Sequence, residues 1–440
     1  MQKLTDGNIH GQIIRFMFPV LIGNTLQRLY TLVDTIMVGR LIGTQSLAAV
    51  GAAGTIAMLA IVICNGFTSG FSIVISQAYG AGDTRRVRSL LAATYVLSGI
   101  LGILLTAAGV LFIKPMLAWT NVPEDIYPLA SAYLHVMMVG LVSSLIYNLA
   151  ANILRALGDS IIPLVFLMVS VLCNVFLDYF YIVVLKRGVA GAAVATIISQ
   201  FVSGIGCLVF CRFKRPLLFV QKEDFHFSKD CIRQLLFQGT AMSLMVSVVS
   251  LGSVILQSGI NKLGSSLLAG YTAGRKLIEF FMMPCAALSM TAVSFASQNY
   301  GARRFDRIKQ GTRIMIVMGI IWSTVLIAFV YMFGRYLIML ITGSGVSDTI
   351  ISAGVLYMRI NVPVFYALTV LLVVRSTLQG IDSKRIPVAT SCVELAVKIL
   401  AIILFVPKLG FLGVCITEPI IWILGALWVC PVYYAAVKNR

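Results

Sequence analysis

Apolar residues in this chain gather into long stretches separated by short clusters of glycine, proline and charge. Stretches long enough to cross about 30 Å of hydrocarbon as a helix lie near residues 14–38, 46–78, 89–112, 128–154, 161–185 and 188–211. A second set follows near 235–261, 265–298, 312–341, 350–379, 386–406 and 411–437. Lipid offers no partner to backbone N–H and C=O groups, and none of the stretches alternates strictly, so they read as helices rather than barrel strands. The pattern predicts an all-α polytopic membrane protein with twelve transmembrane helices.

The two sets of six are copies of one unit. "SQAYGAGDTRRV" (76–87) is answered by "SQNYGARRFDRI" (297–308), "GDSIIP" (158–163) by "IDSKRIP" (381–387), and "GVAGAAVAT" (188–196) by "GFLGVCITE" (410–418). Six spans is an even number, so both copies enter the membrane in the same orientation, related by an axis along its normal. The expected architecture is two pseudo-symmetric six-helix bundles around a central cleft. The N-lobe is 1–211, a cytoplasmic linker is 212–234 with an amphipathic stretch on the bilayer surface, and the C-lobe is 235–440.

With 59% of 440 residues hydrophobic and 11% charged, composition excludes a water-soluble globular protein. The net charge of +18 raises nucleic acid as a partner. Its placement argues otherwise. Lys and Arg gather in alternate loops, such as Arg85, Arg86 and Arg88, Arg212 to Arg233, Arg303 to Arg313, and Arg375 with Lys384 and Arg385. The opposite loops hold few, among them Lys114, Lys186 and Lys262. The positive-inside rule then puts both termini in the cytoplasm of a cell (inner or plasma) membrane protein and accounts for the charge without nucleic acid. The N-terminal "MQKLTDGNIHGQIIRF" has no short apolar core with a small-residue cleavage site, so the first helix is expected to be retained. Nine cysteines, nearly all in apolar runs, predict no external disulfide, and Cys207 and Cys211 read as packing thiols.

A charge in mid-membrane costs at least about 2.5–3.5 kcal/mol, so each one needs a partner, a cavity or a proton. Asp34 lies in "LYTLVDTIMVG"; Asn174 and Asp178, one turn apart, share a face of "CNVFLDYFY"; Thr196 lies in "VATIISQ". Together they offer hard oxygen ligands for a monovalent cation, or a carboxyl pair sharing a proton. Arg28 is no natural partner for Asp34, because six residues turn it to another face. Gln27, Tyr30 and Asp34 form one polar stripe, and Asn148 and Asn152 a second, which serves either the same cavity or interhelical bonding. The second copy differs. Ile255 stands where Asp34 stands, Glu418 falls where Thr196 falls, and Glu394 and Lys398 lie one turn apart. That trio is either a salt-bridge cluster or a contact for substrate or protons. Arg275, Lys276 and Glu279 form a further charged group. The three histidines, His10, His135 and His226, are isolated, and no nucleotide-binding or metalloprotease pattern occurs, so an enzyme is not expected and no cofactor is implied.

"FPVLIGNTLQRLYTLVDTIMVGRLIG", "SQAYGAGD", "LRALGDS", "VLCNVFLDYFYI", "GVAGAAVATIISQ" and "SQNYGA", in this order, resemble the multidrug and toxic compound extrusion (MATE) transporters over almost the whole chain. The resemblance implies export of amphipathic or cationic organic compounds in exchange for H+ or Na+; a monomer embedded in the bilayer is expected. It maps the family's N-lobe cation site onto Asp34, Asn174, Asp178 and Thr196, makes Tyr30, Asn148 and Asn152 candidate substrate contacts, and marks Pro19 as a helix-1 bend. The second copy lacks a helix-7 Glu, which looks closer to the DinF-like branch than to NorM-type members. Arg28 also departs from the usual uncharged residue. A lipid-linked oligosaccharide flippase of the same superfamily is the alternative.

Overall fold

The computed structural model describes residues 3–438, apart from 121, 215–217, 219, 262, 344 and 382–384. The middle of the "IDSKRIP" loop, with Lys384, and also Arg215 and Lys262 of the charge pattern, thus lie outside the described residues. The described chain is helical: α1 (Ile9–Leu41), α2 (Thr44–Gly80), α3 (Thr84–Leu111), α4 (Ile113–Trp119), α5 (Tyr127–Val139), α6 (Leu141–Ala156), α7 (Ile161–Tyr179) and α8 (Gly188–Lys214). Then come α9 (Lys229–Asn261), α10 (Ser265–Phe281), α11 (Met283–Gly301), α12 (Phe305–Thr342), α13 (Asp348–Asn361), α14 (Phe365–Gly380), α15 (Arg385–Leu400), α16 (Val406–Leu409) and α17 (Phe411–Lys438).

Among the described residues, nine helical spans are long and apolar enough to cross a membrane, and two bent pairs, α5 with α6 and α10 with α11, raise this to eleven. The twelfth is α1, whose 33 residues reach about 50 Å at 1.5 Å per residue. Its polar stripe dilutes its hydropathy, which makes it the least obvious span. The two bends, of 45° and 41°, fall at Gly140 and at Met282, just before Pro284. Proline has no N–H to give to the helix ladder, so the second bend has a direct covalent cause. The faces turned away from the core are apolar, with Leu340 82% exposed and Ile103, Leu172 and Met332 all well exposed, as a lipid environment permits.

Two features were not visible in the hydropathy pattern. First, each copy has a π-helical turn at a corresponding point, Phe180–Val184 after α7 and Ala401–Phe405 after α15. Such turns insert an extra residue into the helix ladder and shift the faces on either side, and they gather at functional sites. Second, the chain divides into two compact units: 18–244 with 1–3, and 245–440 with 4–17. The expected lobes meet between 211 and 235, with the whole N-terminus in the first. By packing, the start of α1 instead belongs to unit 2 and the first half of α9 to unit 1. The linker is also shorter than 212–234, since α8 runs to Lys214 and α9 begins at Lys229, with a 3-10 turn at Lys222–Phe225 between them.

Both exchanged segments are held by an arginine of the repeated SQ-x-YGA region. In unit 2, Arg307 donates from Nη1 to Gly7 O (2.9 Å), from Nη2 to Gln12 Oε1 (3.0 Å) and Leu4 O (3.3 Å), and from Nε to Asn299 Oδ1 (3.2 Å). Leu4 N donates to Gln298 Oε1 at 2.9 Å, and Arg304 pairs with Asp6 at 3.2 Å. In unit 1, Arg86 donates from Nη2 to Gln234 Oε1 at 3.0 Å. Arg86 and Arg307 occupy matching places in the repeat, and each reaches a glutamine near the start of the helix it holds.

Candidate functional site

Unit 1 gathers its polar residues from α1, α5, α7 and α8. Asn174 and Asp178 lie on the buried face of α7, both 0% exposed, because their spacing of one turn carries them along the stripe that packs on α8. Thr196 on α8 is the hub. Its Oγ1 accepts from Tyr30 OH at 3.2 Å and from Asn174 Nδ2 at 3.4 Å. A hydroxyl oxygen has two lone pairs, so Thr196 keeps only its proton to give. With Asn174's amide nitrogen turned to Thr196, its Oδ1 points elsewhere and has no donor among the described residues.

The carboxyl groups of Asp34 and Asp178 face each other within hydrogen-bonding reach. Asp34 Oδ1 and both oxygens of Asp178 are buried with no donor among the described residues. Among the described residues the site therefore presents four acceptors that receive no hydrogen bond, from Asp34, Asp178 and Asn174. Sequence reasoning overlooked Tyr133 on α5, a buried phenol within electrostatic reach of both carboxyls. A tyrosine in an apolar run carries no distinguishing signal until α5 is packed.

The other expected contacts separate. Asn152 donates to Thr68 Oγ1 (2.9 Å) and Asn65 Oδ1 (3.3 Å), tying α6 to α2. Asn148 donates to Ser144 O of its own helix at 2.8 Å. The second asparagine stripe thus bonds between and within helices, with no bond to Asp34 among the described residues. Gln27 is exposed, one turn from Tyr30, and its carbonyl accepts from Thr31 Oγ1. Pro19 lies inside α1, two residues past the point where α1 passes from unit 2 to unit 1.

In unit 2, Lys398 Nζ lies 3.3 Å from Glu394 Oε1 and 3.4 Å from Glu418 Oε1. Arg375 does not belong to a cytoplasmic loop. It sits on α14, 13% exposed, with Nη1 3.7 Å from Glu394 Oε2. Arg375 sits beside a loop in sequence, and only the packing of α14 on α15 shows that it is internal. Arg275 on α10 bonds Glu279 at 3.0 Å and Tyr271 OH at 2.7 Å. Cys207 and Cys211 are buried thiols outside any disulfide.

The family model described as MatE matches residues 19–180 and again 241–405, so each copy of the repeat is recognised separately. The probable multidrug resistance protein YoeA of Bacillus subtilis (strain 168) is 30% identical over 346 residues, covering 77% of this chain and 75% of its own. YpnP of the same organism, also described as a probable multidrug resistance protein, is 29% identical over 336 residues, covering 76% and 75%. Among solved structures, the crystal structure of MATE in complex with MaL6 superposes with a TM-score of 0.92 over 100% of this chain and 99% of that one; at 24% identity this likeness speaks for the fold. Twelve helical spans in two copies, a polar intramembrane site and a double match to one family lead to a single assignment: the chain belongs to the MatE family of secondary multidrug transporters and is not an enzyme.

Proposed function

We propose that this transporter exports amphipathic or cationic organic compounds in exchange for H+ or Na+, and that the exchanged ion binds at Asp34 and Asp178 with Asn174 beside them. The observation that carries the reading is the set of orphaned oxygens. Two carboxylates facing each other in an apolar surrounding repel and leave their acceptors unsatisfied, and a single proton or one small monovalent cation relieves both defects. Oxygen donors alone suit a hard cation. Thr196, its lone pairs engaged by Tyr30 and Asn174, acts as the organiser that fixes the Asn174 amide and keeps its own proton to donate.

Occupation of this site favours one access state and its release the other, so ion and substrate binding are linked through the equilibrium between the states. Pro19, beside the point where α1 changes unit, removes one backbone bond and is the proposed bend. The positive-inside charge pattern supports a plasma or inner membrane protein with cytoplasmic termini, acting as a monomer. The flippase alternative needs a strongly cationic surface. Lys398 and Arg275 are instead neutralised by Glu394, Glu418 and Glu279, and YoeA and YpnP carry multidrug names.

The test is reconstitution in liposomes with a pH gradient and a Na+ gradient imposed separately, using a fluorescent organic cation as substrate. One of the two gradients is expected to drive accumulation in the wild type. Asp34→Asn and Asp178→Asn are each expected to reduce it to the level of protein-free liposomes while remaining folded. Wild-type rates in either variant reject the assignment.

A further inference from the structure

The second repeat carries a complete ion cluster in the region where the first carries its orphaned acids. α15 delivers Glu394 and Lys398 just ahead of a π-helical turn, one residue earlier than Leu395 and Ile399, the places that match Asn174 and Asp178 on α7. α17 carries Glu418 at the position that Thr196 holds on α8. The third wall differs. Where α1 brings Asp34, α9 has Ile255, and one turn earlier it has Gly252. A Cβ at Gly252 would meet Lys398 Cδ at 2.8 Å and Nζ at 3.6 Å, so the missing side chain is what lets the lysine stem lie along α9.

Lys398 is 2% exposed, and its ammonium lies between two carboxylates on different helices. The groups facing the cluster are Arg375 on α14, against Glu394, and the phenols of Tyr271 on α10 and Tyr357 on α13, both within electrostatic reach of Glu418. Two carboxylates and two fixed cations balance. In unit 1, by contrast, neither oxygen of Asp178 has a donor among the described residues. The same three-helix corner is therefore open to a cation in one copy and already compensated in the other.

We propose that the unit 2 cluster is a monovalent-cation site whose cation is part of the chain: the Lys398 ammonium stands where the exchangeable ion binds in unit 1. The proposal rests on the ion-site reading of unit 1. Because the lysine is covalently held, unit 2 neither takes up nor releases an ion, and the transporter exchanges one cation per cycle. Removing the ammonium uncovers two carboxylates, Glu394 and Glu418, around a vacated position lined by Gly252, and such a set of hard oxygens takes up H+ or Na+. A lysine that merely braces α15 against α17 predicts no such gain.

The experiment counts ions bound by the purified full-length chain. Radiolabelled Na+ is measured by equilibrium binding, and H+ by uptake from a weakly buffered solution on a downward pH step. Wild type is expected to bind one cation per chain at this class of site, Lys398→Met two, and Lys398→Arg one. Lys398→Gln, which retains hydrogen bonding without charge, is the second neutral variant should Lys398→Met fail to fold, and is likewise expected to bind two. Asp34→Asn combined with the neutral variant is expected to bring the count back to one. A folded neutral variant that still binds one cation overturns the proposal. A wild type that binds none, beside a neutral variant that binds one, overturns the unit 1 reading alone and leaves the latent unit 2 site standing.

Discussion

Replacing Arg307 by alanine removes three hydrogen bonds at once from the segment that precedes and begins α1, and a fourth from Asn299 on α11. Gly7 O, Gln12 Oε1 and Asn299 Oδ1 lose their guanidinium donor, while Leu4 O keeps Asn299 Nδ2 at 3.1 Å. A hydrogen bond from a charged donor contributes roughly 1.5–3 kcal/mol, but Arg307 is half-buried and water can replace it on the outer acceptors, so a net loss of about 2–3 kcal/mol is expected. Leu4, Ile13 and Phe16 stay buried by apolar contact and keep the segment from detaching altogether. A loss of about 2 kcal/mol raises the local opening equilibrium roughly 30-fold. Hydrogen exchange read by mass spectrometry on peptides covering residues 3–17 is expected to quicken by that factor, with α12 beyond Arg307 unchanged. Arg86→Ala provides the internal scale, because it breaks one exposed bond to Gln234 and is expected to change exchange in the first turns of α9 by less than about fivefold. Exchange at residues 3–17 that stays at the wild-type rate in Arg307→Ala, in a folded protein, refutes the claim that this arginine holds the exchanged segment.

Asn152→Ala breaks the buried bond that ties α6 to Thr68 and is expected to cost about 1–2 kcal/mol, seen as a lowered Tm in detergent, whereas Asn148→Ala, which loses a bond within its own helix, is expected to stay within about 0.5 kcal/mol. Gly70→Ala forces a methyl to 2.5 Å from Gln238 O and 2.6 Å from Gly239 Cα, where backbone cannot yield, so loss of folded protein on size-exclusion chromatography is expected. Gly99→Ala, with nothing within 4 Å of the new methyl, is its neutral control. Equal behaviour of the two glycine variants speaks against the close packing of α2 on the start of α9.

Hydropathy alone laid out the helices, because a bilayer forbids unpaired backbone and so turns apolar length directly into a span. The repeat, the family resemblance and the separate acids of unit 1 were legible for the same reason: a charge in an apolar run stands out against its surroundings. The sequence also marked Glu394, Lys398 and Glu418, yet it left Arg375 in a loop, since a residue near a helix end reads alike whether it meets water or a carboxylate. Tyr133 passed unnoticed, and Asn152 kept two readings open, because the partner of a polar side chain lies on another helix and periodicity describes only its own.

What the tertiary structure alone decided is pairing. It turned Thr196 into the hub of Tyr30 and Asn174, left the oxygens of Asp178 without a donor among the described residues, and placed the Lys398 ammonium between two glutamates along a glycine of α9. It also gave the start of α1 to the second unit and the first half of α9 to the first. The sequence by itself determined which residues are costly to bury, since that follows from side-chain chemistry and span position. Which of those costs are met inside the chain depends on distances between helices that no spacing along one helix contains.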